Sequence, residues 1–181
     1  MFSDARSKRL LLVAHCVLNQ NAKLDRCAFY PGAIREAAQT VLDSGVGVIQ
    51  MPCPEMLCFG LDRQTDLNAQ PSVEAEDTRI AIRLSEPAYR RMMQEMVEQL
   101  LFQILEYRKH GFEVLGVLGI NGSPSCAVEQ TWVADAPQEG SGVFIEILMA
   151  TLEKNDIHLP MRGIRAAEPG HAVAAVRALV G

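Results

Sequence analysis

Three short apolar runs, each followed by a loop that contains a cysteine, restrict the fold of this chain most strongly. They occupy residues 10–14, 46–51 and 114–120. Each run has the length of a strand and ends in polar, glycine or proline residues, which is typical of a buried strand. The sequence therefore predicts three buried parallel strands.

Apolar residues at helical spacing lie between and after these runs. They mark helices within 34–42, 85–111 and 143–152, and an alanine-rich helix over 169–180 follows a short fourth strand within 161–165. The order β-α-β-α-β-α-β-α predicts a single-domain α/β protein with a mostly parallel, Rossmann-like sheet and helices on both faces. We expect one domain over 1–181, with long loops at 53–84 and 122–142.

Size and charge narrow the class of function. The chain has 181 residues, of which 49% are hydrophobic and 22% charged, as in an ordinary globular enzyme. Its net charge is −5, and the basic residues cluster only at 6–9, so tight nucleic-acid binding is not expected. A small-molecule ligand fits better; the oligomeric state stays open, with a homodimer as one option.

The N-terminal residues resemble an export signal only loosely. The apolar run at 10–14 is too short for a signal core, and His15 stands where cleavage needs a small residue. No apolar run approaches the ~18 residues of a membrane helix. We therefore expect a cytoplasmic protein that does not enter a membrane, whose five cysteines serve a metal, a cluster or catalysis before disulfides.

Three of the cysteines are predicted to converge. Cys16 follows the first strand, Cys53 the second, and Cys126 lies six residues beyond the third. The carboxyl ends of parallel strands meet at one edge of the sheet, which is where such folds bind ligands. The three residues are 37 and 73 positions apart, so only the fold can bring them together.

Each cysteine could also be a small buried core residue, which is a common role for a free thiol. Their neighbours favour a functional role, because Cys53 lies between two prolines and Cys126 ends a Gly-Ser-Pro-Ser-Cys loop. Cys27 and Cys58 are expected not to be ligands, although either could complete a set of four. Four thiolates would close a metal site, whereas three leave one position open.

Read together, three motifs resemble the thiouracil desulfidase family. The first comprises 16–19 with 23–26, the second Cys53-Pro54-Glu55 with 60–63, and the third the Gly-Ser-Pro-Ser-Cys sequence at 122–126. The motifs span residues 15–126, and the third is the most specific. The chain departs from the family pattern, and the differing positions are Asn19, Ala22, Lys23, Arg26 and Ala127.

The resemblance implies a [4Fe-4S] cluster held by Cys16, Cys53 and Cys126, with one iron that lacks a protein ligand. It also implies an enzyme, a desulfidase that converts C=S to C=O by hydrolysis, without redox change, in a small thiolated heterocycle or thioamide. Water attack needs a base, for which Glu55 is preferred over Asp25. Hydrogen bonds to the site would come from Ser123 and Ser125.

Two other functions stay open at this point. One is a non-catalytic iron-sulfur or metal-binding protein that senses or carries sulfur. The other is a cluster-free thiol enzyme, in which His15 would serve the neighbouring Cys16 as a base. Trp132 could stack on a heterocycle or anchor the core, and we expect Lys23 and Arg63 to be solvated.

Overall fold

The centre of the protein is a four-stranded parallel sheet. The structure, a computed structural model, describes residues 2–66, 68–134 and 136–181. The strands of the sheet are β1 (Arg9–Val13), β2 (Gly47–Gln50), β3 (Glu113–Ile120) and β6 (Met161–Ile164). Between β3 and β6 in the chain, β4 (Gln130–Val133) and β5 (Ala136–Glu139) form a separate antiparallel hairpin. The strand order is β2-β1-β3-β6, and all its pairings are parallel. This confirms the predicted α/β fold.

Helices cover both faces of the sheet. They are α1 (His15–Leu18), α2 (Arg35–Asp43), α3 (Pro54–Phe59), α4 (Val73–Leu84), α5 (Pro87–Lys109), α6 (Val143–Lys154) and α7 (Pro169–Val180). The chain leaves β1 in one direction to reach β2 and crosses back over β1 to reach β3. Right-handed crossovers therefore place α2 and α5 on opposite faces. In agreement, α2 packs against α7, while α5 packs against α6.

The core lies between the sheet and these helices. Leu11, Leu12 and Val13 of β1 are fully buried, because β1 is an inner strand with a helix layer on each face. The helix predicted within 85–111 is confirmed as α5, and its Met93 and Val97 are also fully buried. Met93 is thus a core residue.

The segment 53–84, expected to be a long loop, contains helices α3 and α4, so that expectation is wrong. The periodicity of α4 is hidden because its buried side includes Glu76 beside Ile80 and Leu84. Glu76 is buried as an ion pair with Arg79, at 2.6 Å, and accepts a hydrogen bond from Thr65. A pattern of apolar residues alone cannot reveal a helix whose inner face holds a paired charge.

The segment 122–142, also expected to be a loop, contains the β4–β5 hairpin. Asn121, at the end of β3, accepts hydrogen bonds from the backbone N–H groups of residues 128, 129 and 130, at 3.1 to 3.3 Å. The Glu129 carboxylate in turn accepts the backbone N–H of Gly163 on β6. These bonds fix the segment to the sheet.

None of the helices in the described ranges has the length and apolar content needed to cross a bilayer.

Two glycines, Gly119 on β3 and Gly142 at the start of α6, allow the Cys126 loop to pack closely against its neighbours. A Cβ atom on Gly119 would lie 2.5 Å from the carbonyl oxygen of Cys126 and 2.6 Å from a methyl carbon of Val128. A Cβ atom on Gly142 would lie 2.4 Å from the backbone carbon of Ser125. The loop is therefore held by backbone packing against positions that only glycine can occupy.

We predict that Gly119→Ala lowers the free energy of unfolding by about 1–3 kcal/mol, since the new methyl group forces the Cys126 loop away from β3. Urea denaturation followed by circular dichroism measures this change. Gly170→Ala is the matched control, because a Cβ atom there meets nothing within 4 Å. This account of the loop is wrong if the two variants have the same stability.

Candidate functional site

A cavity of about 490 Å³ opens at the carboxyl edge of the sheet. It lies beyond the ends of β1 and β3, the neighbouring strands from which the chain crosses in opposite directions. Such a reversal of strand order leaves a crevice, which is the usual ligand site of open α/β sheets. The volume suits a small molecule.

Cys16, Cys53 and Cys126 all line this cavity, as the topology predicts. Cys16 lies in α1 directly after β1, Cys53 caps the start of α3 after β2, and Cys126 follows β3. Burial raises the pKa of the Cys126 thiol, and Cys16 and Cys53, when ionised, raise it further. The three thiols are therefore near enough to interact electrostatically.

The other two thiols are also shifted towards the protonated form. Burial raises the pKa of Cys53 to about 12, and the charge of Glu55 adds to the effect. Burial likewise raises the pKa of Cys16, against the opposing charge of Lys23. Since metal binding requires thiolates, any metal or cluster bound here must displace these protons.

Among the residues that the structure describes, no three His, Cys, Asp or Glu side chains are grouped so that they could hold a metal ion. Three thiolates around one zinc ion would lie within roughly 4 Å of one another, given a Zn–S bond of about 2.3 Å. The thiolates that hold an iron-sulfur cluster lie farther apart than those around one zinc ion, because each thiolate binds a different iron. The donor set, three thiols from three strand ends, is of the type that a cluster uses.

Glu55 is hydrogen-bonded to the Cys126 loop. The hydroxyl group of Ser125 donates to its Oε1 at 2.6 Å, and that of Ser123 donates to the same oxygen at 3.3 Å. The Ser123 oxygen also accepts the backbone N–H groups of Ser125 and Cys126. Three predicted site residues thus form one connected group at the cavity wall.

Arg63 is not solvated, contrary to expectation, but has only 1% of its surface exposed. Its Nε donates to Glu55 Oε2 at 3.4 Å, and its Nη2 donates to the Ala22 carbonyl at 2.5 Å. Its Nη1 donates to the carbonyls of Gly60 and Leu61, both at 3.0 Å. One guanidinium group therefore joins the loops that follow β1 and β2.

Gln20 performs a similar role beside Cys16. Its side chain is buried, donates to the Cys16 carbonyl at 2.6 Å and accepts the backbone N–H of Phe29 at 3.1 Å. The first loop is therefore folded around a buried amide. Nothing in the local sequence indicates this role, because both partners depend on the path of the loop.

Two candidates lie apart from this group. Asp25 does not line the cavity, and its side chain is 92% exposed beside Arg26, because the preceding Leu24 is the residue that turns inward. Cys58 lies in α3 and packs against the core rather than the cavity. The structure does not bring either residue to the other candidates.

Cys27 does line the cavity, but in different surroundings. Burial raises its pKa to about 11, and the next largest cause is the charge of Asp77 on α4. Its electrostatic neighbours do not include the other three cavity cysteines. Cys27 thus belongs to a second wall of the cavity, formed by α4 and the loop that follows β1, whereas Cys16, Cys53 and Cys126 belong to the first.

Three further residues named from the sequence also line the cavity: His15, Lys23 and Trp132. Burial lowers the pKa of His15, which favours the neutral imidazole. The indole N–H of Trp132 is buried and has no hydrogen-bond partner in the described part of the chain. A ligand in the cavity therefore meets the ring of Trp132 rather than its N–H group.

Comparison with known proteins gives one distant relative. No protein-family model matches the chain, and no solved structure is significantly similar to it. Over 123 residues the chain is 28% identical to the uncharacterized protein MJ0003 of Methanocaldococcus jannaschii, a match that covers 68% of this chain and 70% of that protein. The name of that relative states no activity.

We predict that Arg63→Met lowers the free energy of unfolding by roughly 3–5 kcal/mol, the usual effect of breaking a buried ion pair. The change leaves Glu55 without its cation and three backbone carbonyls without their donor. Urea denaturation measures the loss.

Arg91→Met, an exposed position on α5, is the matched control, and its effect should stay within about 0.5 kcal/mol. Equal stability of the two variants would show that Arg63 does not hold the loops together.

Proposed function

We propose that the protein is a desulfidase, which hydrolyses a thiocarbonyl compound to the corresponding carbonyl compound and hydrogen sulfide. One observation supports this most strongly: the Glu55 carboxylate is hydrogen-bonded to Ser125 in the same cavity that Cys16, Cys53 and Cys126 line. A hydrogen-bonded carboxylate next to a set of soft sulfur ligands suits a reaction that moves a proton and removes sulfur.

The cofactor that we propose is a [4Fe-4S] cluster held by Cys16, Cys53 and Cys126. In support, all five cysteines are free thiols, as expected in a reducing, cytoplasmic compartment. When bound, a cluster with three protein ligands supplies one open iron, a Lewis acid with affinity for sulfur. The motif resemblance to the thiouracil desulfidases gives the same ligand set.

The reaction consumes one water molecule and needs no electron donor. The C=S bond is replaced by C=O, the water oxygen becomes the carbonyl oxygen, and its two protons leave with the sulfur as hydrogen sulfide. The chain must therefore provide a group that takes a proton from water and returns it to the departing sulfur. Such a group acts as a general base and then as a general acid.

Glu55 is the residue that we assign to this proton transfer. It is partly accessible, with 12% of its side chain exposed, and its Oε1 faces the two serine hydroxyls while Oε2 faces Arg63. Contacts on both oxygens fix the plane of the carboxylate, so that the substrate water meets it in one orientation.

The two serines have a supporting role in this proposal. Ser125 is almost fully buried, and its hydroxyl also lies 3.6 Å from the Cys126 sulfur. Its hydroxyl thus connects the proton-transfer group with a ligand of the proposed cluster. Ser123 holds the loop through its contacts with backbone N–H groups.

We predict that anaerobically purified, cluster-reconstituted protein releases sulfide from at least one of three probes: 2-thiouracil, a 6-thiopurine or imidazolidine-2-thione. In ¹⁸O-labelled water the carbonyl product should gain one labelled oxygen, detected by mass spectrometry. Glu55→Gln should lower kcat by about 10²–10⁴-fold, since it removes the proton-transfer group. The visible spectrum should not change.

Ser125→Ala is the milder companion variant, which removes one hydrogen bond to Glu55 and keeps the carboxylate. We expect it to lower kcat less than Glu55→Gln does. Unlabelled product, or full activity of Glu55→Gln, would contradict the mechanism. An intact cluster with no sulfide from any probe would instead favour a protein that binds or carries sulfur without turnover.

A further inference from the structure

Helix α4 presents two different faces, of which only one belongs to the core. Ile80 and Leu84 are buried against the protein interior. Val73, Glu74 and Asp77, at the spacing of one helical turn, line the cavity instead. Asp77 therefore places a carboxyl group on the cavity wall that Cys27 shares.

Asp77 differs from the other acidic residues of this helix region. No hydrogen bond joins its carboxyl group to another residue in the described ranges, whereas Glu76 is bonded to Arg79 and Thr65. Burial raises the pKa of Asp77 to about 7, and the charge of Glu55 contributes in the same direction. An unpaired, half-buried carboxyl group reduces stability, which is typical of a group retained for a ligand.

We propose that Asp77 is a substrate-binding residue whose carboxylate accepts a hydrogen bond from an N–H group beside the thiocarbonyl carbon; this proposal rests on the desulfidase function. Thioamides and thioureas are thiocarbonyl compounds whose nitrogen lies beside the thiocarbonyl carbon, so they present such N–H groups. A buried acceptor without a partner selects for a ligand that supplies the missing donor.

The position of Asp77 relative to the cysteines supports this assignment. Cys16 and Cys53 raise the pKa of Cys126, while Asp77 raises the pKa of Cys27, and the charge of Glu55 acts on both groups. A small ligand that contacts both sides would direct its thiocarbonyl sulfur towards the three cysteines and its N–H group towards α4. Trp132 of β4 also lines this cavity, and β4 packs against α4.

The proposal predicts a pH dependence of binding. Only the ionised carboxylate is a strong acceptor, so the affinity for an N–H donor should be highest above pH 7 and fall as Asp77 becomes protonated. With a pKa of about 7, the loss between pH 8 and pH 6 is about tenfold in Kd. The charged and titratable groups around Asp77 are Lys23, Cys27, Glu55, Glu74 and Glu76.

The experiment uses binding rather than turnover. Trp132 is the only tryptophan of the chain and lines the cavity, so its fluorescence reports occupancy. The probes are imidazolidine-2-thione, whose N–H groups do not titrate between pH 6 and pH 8, and its N,N′-dimethyl derivative, which keeps C=S and lacks N–H. Each is titrated into the cluster-loaded wild-type protein and into Asp77→Asn at both pH values.

The expected result is that Asp77→Asn weakens binding of the N–H probe at pH 8 by about tenfold, the effect of losing one charge-assisted hydrogen bond. It should also abolish the difference between the two pH values, while leaving the affinity for the dimethyl probe unchanged. The variant is expected to fold, since it removes an unpaired charge. Glu74→Gln, on the same wall, is the control for simple loss of charge.

The proposal is overturned if Asp77→Asn binds the N–H probe like the wild type, or if Glu74→Gln reproduces its effect. A sulfide assay on the same preparations separates this result from the desulfidase function. Sulfide release without any effect of Asp77 on binding removes only the role of Asp77. If binding depends on Asp77 but no sulfide is released, only the desulfidase reaction is contradicted.

Discussion

The buried guanidinium group of Arg63 is the interaction on which the arrangement of the site depends. It donates to Glu55, to the Ala22 carbonyl of the first loop and to two carbonyls of its own loop. Through Glu55 the connection extends to Ser125 and the third loop. A charge buried in this way is stable only when all its partners are in place, so the three loops that contain the candidate ligands adopt one mutual arrangement.

The sheet determines where these loops meet. The buried polar groups that line the site there reduce the stability of the fold. Because the chain crosses in opposite directions from β1 and β3, a crevice forms at the carboxyl edge of the sheet. Into it project thiols and a carboxyl group, Asp77, whose pKa values are raised by burial. A fold selected for stability alone would replace such groups with apolar residues, and their presence together is what makes this cavity a functional candidate.

Much of the fold and part of the candidate site could be predicted from the sequence. The other features could not, for physical reasons. The strands were visible because continuous apolar runs mark buried parallel strands, and strand order then predicted the shared edge of Cys16, Cys53 and Cys126. Helix α4 was hidden because its inner face includes the paired Glu76. The burial of Arg63 and the unpaired state of Asp77 depend on partners distant in the chain, which no local pattern encodes.

Iron and acid-labile sulfide per chain, measured after anaerobic reconstitution, test the central proposal most directly. We expect about four of each in the wild-type protein, as in any [4Fe-4S] site, and the same in Cys27→Ser and Cys58→Ser. Replacing Cys16, Cys53 or Cys126 by serine should abolish or strongly reduce both values. A colourless wild-type protein without iron, or a Cys27→Ser variant that loses its iron as completely as Cys126→Ser does, would contradict a cluster held by these three cysteines.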